Sequence, residues 1–273
     1  MTIRSTFLLT LIALIFPFSV LLPGCVQAED SASDQDLARA AQNPVASMIS
    51  LPFQNNSNFN FGPEEETQNI LNIQPVWPVS LNDDWNLITR TILPVMSQPG
   101  MGGANGRING IGDLTFTAFL SPKKAGELIW GVGPLVLLPT ASNDRLGGDR
   151  WGAGPSVVLL KMKGPWVVGS LFSNIWSVGG GDGADINLLS WQYFINYNMA
   201  GGVYLTSAPT ISANWEADSG NTWTVPVGGG IGKIFKIGKQ PVNAQVSAYY
   251  NVEKPEFGPD WQLRLQIQLL FPM

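Results

Sequence analysis

The sequence predicts an all-β chain folded as a single transmembrane antiparallel β-barrel of about 12 strands, with both termini on the periplasmic side. Three observations predict it. Hydrophobic residues make up 45% of the chain and charged residues only 13%, whereas soluble domains carry about 25% charged residues. No apolar run after residue 28 approaches the ~20 residues of a membrane helix. The 30 glycines and 20 prolines also disfavour helix interiors. Lipid leaves a non-helical chain only a closed barrel in which to satisfy its backbone hydrogen bonds. The third observation is a recurring stretch of alternating apolar and polar residues followed by a turn, the weak signature of barrel strands.

Residues 1–28 read as an export signal. Arg4 is the positive n-region, Phe7 to Leu22 the apolar segment, and Val26-Gln27-Ala28 a small-residue cleavage site. Cleavage after Ala28 removes Cys25, the single cysteine, and leaves 14 cations against 20 acids, a net charge of −6. A second reading competes: Leu22-Pro23-Gly24-Cys25 resembles a lipidation motif, although Pro23 fits it poorly. Residues 29–47, polar and acidic, are expected to form a mobile periplasmic lead-in with room for one helical turn. The barrel is expected over residues 48–273.

The closing stretch is the clearest strand. Trp261, Leu263, Leu265, Ile267, Leu269 and Phe271 alternate with Gln262, Arg264, Gln266 and Gln268. Successive strand side chains point to opposite faces, so one face is apolar and the other polar. Val242 to Tyr250 repeats the pattern against Asn243, Gln245, Ser247, Tyr249 and Asn251. Leu189, Trp191, Tyr193, Ile195 and Tyr197 oppose Ser190, Gln192, Asn196 and Asn198. Near the start, Ile49, Leu51, Phe53, Phe59 and Phe61 share a parity that Asn55 and Ser57 interrupt. Trp85, Leu87, Leu93 and Val95 oppose Asn86 and Arg90. Leu128 to Pro139 and Val157 to Leu160 are apolar on both faces, and each alone also fits a buried strand of a soluble sandwich.

Tight turns at Leu81 to Asp84, Lys163 to Pro165, Ala200 to Gly202 and Ile237 to Pro241 alternate with longer connections. The longer ones are Ser97 to Gly110, Ala141 to Asp149, Gly179 to Asp185, Glu216 to Asn221 and Glu253 to Pro259. Outer-membrane barrels have short periplasmic turns and longer outer loops. Eleven strands follow Asn69, and Met48 to Phe61 supplies a twelfth, the even number such barrels require. Gly62 to Gln68 is then an outer connection. Trp77, Trp85, Trp130, Trp151, Trp166, Trp176, Trp215, Trp223 and Trp261 lie mostly near strand ends, as interfacial girdles require. The terminal Pro272-Met273 departs from an aromatic barrel ending, with Phe271 two residues early.

Histidine is absent. Serine–histidine and cysteine–histidine nucleophilic sites are therefore excluded, as are histidine-bearing metal sites. The expectation is a non-enzyme without metal or cofactor. The lumen candidates are the polar partners of the apolar faces: Asn72, Gln74, Asn86, Arg90, Gln192, Asn196, Asn243, Gln245, Gln262, Arg264, Gln266 and Gln268. These are neutral amides and two arginines, suited to small solutes or to a packed hydrogen-bonded interior. The acid-rich outer connections, such as Gly179 to Asp185, are read as solvated loops because they lack the full spacing of a calcium loop.

Several stretches together resemble a known family. They include Leu71-Asn72-Ile73-Gln74-Pro75, Asn82-Asp83-Asp84-Trp85-Asn86-Leu87, Gly131-Val132-Gly133-Pro134, Gly164-Pro165-Trp166-Val167-Val168-Gly169, Ala248-Tyr249-Tyr250-Asn251 and Trp261-Gln262-Leu263-Arg264. The chain resembles the outer-membrane transporter proteins related to the MetA-pathway of phenol degradation, some of which carry the label neuromedin U. The resemblance implies an outer-membrane location and uptake of small hydrophobic or aromatic compounds, and it supplies no binding residues. Expected partners are outer-membrane lipid, the barrel-assembly machinery and such a solute, with no nucleic acid. The alternative is a structural or envelope-interaction barrel with a closed lumen.

Overall fold

In the computed structural model, residues 28–100, 106–124 and 126–272 are described. The export signal, Cys25 and Met273 lie outside them. The chain forms a closed antiparallel barrel of twelve spans, each hydrogen-bonded to the next in sequence. The spans are β1 (Ile49–Phe61); β2 (Glu66–Ile73) with β3 (Val76–Ser80); β4 (Trp85–Gln98); β5 (Ile108–Ile111) with β6 (Leu114–Pro122); β7 (Leu128–Leu138); β8 (Arg150–Lys163); β9 (Trp166–Gly180); β10 (Asn187–Asn198); β11 (Val203–Ser207) with β12 (Thr210–Asn214); β13 (Trp223–Ile237); β14 (Gln240–Glu253); and β15 (Trp261–Phe271). The ring closes where β15 pairs with β1, from Ile49 opposite Phe271 to Phe59 opposite Trp261. The first connection is shorter than Gly62 to Gln68, because β2 already begins at Glu66.

Three spans are interrupted, at Gln74-Pro75, Gly112-Asp113 and Ala208-Pro209. Proline has no N–H to give to a ladder, so it marks a break or an edge within a sheet. The break at Ala208-Pro209 frees the Ala208 carbonyl from the wall for side chains of the interior.

The register separates inside from outside. On β15, Leu265 and Ile267 are exposed while Arg264 and Gln268 are buried. Facing outward in the same way are Val168, Phe172, Trp191, Ile195, Val227, Ile231 and Val246. Such a continuous apolar exterior fits a hydrocarbon environment rather than water. Asn55 and Ser57 also face outward, opposite Leu265 and Leu263. Their polar atoms are turned on one another: Asn55 Nδ2 donates to Ser57 Oγ (3.2 Å), which donates to Asn69 Oδ1 (2.8 Å). Trp85 meets Trp130 and Trp166 meets Tyr197 at the turn end of the barrel. At the loop end, Phe59 stacks on Trp261 with centroids 4.0 Å apart, and Trp215 meets Trp223.

Residues expected to be a mobile lead-in form a helix, α1 (Ala28–Ala41), followed by a segment that enters the turn end of the barrel. Ala38 is buried with Tyr204, Ile234, Leu270 and Met48. Val45 joins Ile88, Phe119, Val158, Leu160, Val167 and Phe194 in the main apolar cluster of the interior. Arg39 donates to the carbonyl of Gly164, and Gln42 and Asn198 exchange amide hydrogen bonds of 2.9 and 3.2 Å. The sequence reading missed this docking because α1 has no strongly apolar face of its own: small alanines fill the mouth.

Two glycines make room for interior rings. A Cβ on Gly232 would lie 2.2 Å from Cζ of Tyr204, and one on Gly169 would lie 2.4 Å from Cζ of Phe194. A larger residue at either place would displace an aromatic ring from a close-packed interior.

Candidate functional site

The interior beside β1, β4, β10, β14 and β15 is polar and holds two cavities. The first encloses about 160 Å³. Its floor is the N-terminal segment, from Ala40 to Pro44 with Ala46 and Met48. Its walls carry Gln74, Arg90, Gln192, Asn196, Asn243, Gln245, Arg264, Gln266 and Gln268, nine of the twelve residues selected from the alternation pattern. The second cavity, about 270 Å³, lies toward the loop end and is bordered by Gln262 and Arg264 with Asn58, Gln68, Tyr249 and Asn251. Asn86 lies away from both, buried, with Nδ2 donating to Ser47 Oγ of the floor segment (2.7 Å). Asn72 faces inward between Gln54 and Pro94 and borders neither cavity.

Arg264 borders both cavities and forms the bar between them. Strand β15 places it inward, and its three nitrogens each find an acceptor. Nε donates to Asn56 Oδ1 (3.1 Å), Nη1 to the Ala208 carbonyl (2.8 Å) and Nη2 to Gln262 Oε1 (3.1 Å). The guanidinium lies over the Tyr249 ring, 4.9 Å from its centroid, a favourable cation–π placement. The Ala208 carbonyl is available because Pro209 interrupts the span; it also accepts from Gln192 Nε2 (3.3 Å). Arg90 meets a side chain instead, its Nη2 donating to Gln74 Oε1 (2.6 Å).

The remaining amides form chains. Tyr204 Oη donates to Asn243 Oδ1 (2.7 Å), and Asn243 Nδ2 donates to Gln268 Oε1 (3.1 Å). Nearer the loops, Gln262 Nε2 donates to Asn58 Oδ1 (2.8 Å), and Asn58 Nδ2 to Gln68 Oε1 (2.6 Å). A buried amide needs such partners, because each unsatisfied polar group costs about 1–3 kcal/mol. Among the described residues, no aspartate or glutamate borders either cavity.

Sequence reasoning missed Gln54, Asn56 and Asn58, whose alternation on β1 was legible but overshadowed by the polar interruptions at Asn55 and Ser57. It also missed Tyr204, which no local pattern marks as interior. Two acids outside the strands are engaged locally. Lys254 Nζ lies 3.0 Å from Asp260 Oδ1, and Asp113 accepts from the backbone N–H groups of Ala141 and Gly148.

The barrel is similar to the COG4313 outer membrane channel from Pseudomonas putida F1, at 22% identity over 85% of this chain and 97% of that chain, with a TM-score of 0.64. This similarity shows a shared fold. Looser similarities extend to the CymD monoaromatic hydrocarbon channel (9% identity, 89% of this chain and 93% of that chain, TM-score 0.48) and to outer membrane phospholipase A from Escherichia coli (14% identity, 86% and 97%, TM-score 0.43). No curated protein matches the chain. Residues 65–269, from the second span to the last, match the family described as "Putative MetA-pathway of phenol degradation", and the chain belongs to that family.

Proposed function

We propose that the protein is an outer-membrane channel for small hydrophobic or aromatic compounds, closed at rest by its own N-terminal segment. The observation that carries this reading is the pair of cavities separated by Arg264 inside a lipid-facing barrel, with residues from the 40–48 segment as the floor of the first. The short-turn end faces the periplasm, the acid-rich loops face outward, and both termini are periplasmic. Lipid surrounds the apolar band, and the barrel-assembly machinery inserts the chain through its closing strand. The lumen amides orient a solute and do no covalent chemistry.

Twelve spans fall between eight, which side chains fill, and sixteen to eighteen, which leave an open channel. That intermediate width suits a narrow gated path. The apolar cluster around Ile88, Phe119, Val158 and Phe194 favours the second reading, a barrel with a permanently closed lumen. Uptake of labelled benzyl alcohol into vesicles with a lipopolysaccharide outer leaflet separates the two. The channel reading expects faster loading with the protein than without it, and equal loading would leave only the closed barrel.

A further inference from the structure

We infer that the first cavity is a binding site for a small aromatic carboxylate, held through its carboxylate by Arg90 with Arg264 as the second positive charge. The inference rests on the channel reading and names the class of solute that channel takes.

The electrostatic observation comes first. Among the described residues, two guanidiniums border the cavity and no carboxylate does, although the chain as a whole has a net charge of −5. Positive charge is therefore concentrated in the lumen of an acidic protein. Enclosed cations without a counter-charge are costly unless an anion completes the site.

The two arginines are not equally occupied. A guanidinium carries five N–H donors in a planar fork. Arg264 gives a hydrogen bond from each of its three nitrogens to the wall. Arg90 gives one, from Nη2 to Gln74, among the described residues. It is half-buried, because it is walled from bulk solvent while facing the cavity. Its remaining donors match the bidentate geometry of a carboxylate.

Size and lining complete the assignment. The cavity holds about 160 Å³, close to a cavity of about 150 Å³ that binds benzene. Met48, Val76, Phe194 and Ala208 supply an apolar side for a ring. A bare inorganic anion would leave that side unfilled. A neutral ring would leave the arginines unanswered.

Calorimetry on the detergent-folded protein tests this, with benzoate, benzyl alcohol and inorganic phosphate as probes. Benzoate is expected to bind, with both other probes weaker by about tenfold or more, the worth of one charge-assisted hydrogen bond. Arg90→Gln is expected to weaken benzoate by a similar factor while leaving benzyl alcohol unchanged. Equal binding of benzoate and benzyl alcohol, or of benzoate and phosphate, overturns the assignment, as does full benzoate affinity in Arg90→Gln. If that variant fails to show heat-modifiable gel migration, the three-probe comparison on the unaltered protein decides alone. The vesicle experiment above judges the channel and this titration judges the ligand, so either can fail without the other.

Discussion

Val45→Asp is the sharpest perturbation of the closed state. Val45 is 5% exposed and sits in the cluster of Ile88, Phe119, Val158, Leu160 and Val167. A Cβ on Gly131 would lie 3.0 Å from its Cγ1, so the valine is pressed against the bare backbone of β7. Burying a valine side chain is worth ~1.5–3 kcal/mol. A carboxylate in its place adds the cost of a buried charge with no cation in that cluster, at least ~2 kcal/mol. The docked state of the N-terminal segment therefore loses upward of about 3 kcal/mol, which raises the undocked population ~100-fold. The twelve-span ladder involves no residue before Ile49, so the barrel itself persists. Two assays read the shift. Trypsin cleavage after Arg39, whose side chain is held at Gly164 when docked, accelerates in proportion to the undocked population. Open probability in planar bilayers rises in parallel. Unchanged cleavage and unchanged conductance in a variant that retains heat-modifiable migration would refute the role of residues 40–48 as the floor.

Tyr204→Phe removes the donor to Asn243 Oδ1 at a fully buried position; urea titration should show a loss of about 1–2 kcal/mol, and no loss would mean that water replaces the hydroxyl. Asp260, in the last loop, accepts from Asn60 Nδ2 and pairs with Lys254, and these contacts hold its carboxyl below the usual carboxylate range. Because the folded value is the lower one, the contact's contribution is complete above the ordinary carboxylate pKa of ~3.9 and is lost as pH falls through the folded value. Protease sensitivity of the Glu253 to Asp260 loop should therefore rise on acidification in the native chain and stay flat in Asp260→Asn.

The fold was legible because barrel strands announce themselves locally. The alternation from Trp261 to Phe271 places Arg264 and Gln268 inside without knowledge of any neighbour, and the short turns at Leu81 to Asp84 and Lys163 to Pro165 set the number of spans. Asn55 and Ser57 were legible as interruptions, but their mutual hydrogen bonding with Asn69 depends on the β1–β2 register. The docked helix was not legible: its closing contacts join Gln42 to Asn198 and Arg39 to Gly164, and although Asn198 belongs to the β10 alternation, nothing in the local pattern of residues 39–42 points to either contact.

Sequence alone determined that alternate side chains divide between lipid and lumen, that the spans are twelve, and that histidine chemistry is excluded, since each depends on spacing or composition within a short stretch. Only the tertiary structure decided which inward residues share a cavity, that Arg264 bars the lumen by binding a carbonyl released at Pro209, and that the N-terminal segment forms the floor. These depend on contacts between residues far apart in the chain, such as Asn56 and Arg264, 208 positions apart. A strand's period sets which face a side chain takes; closure of the ring sets what it meets there.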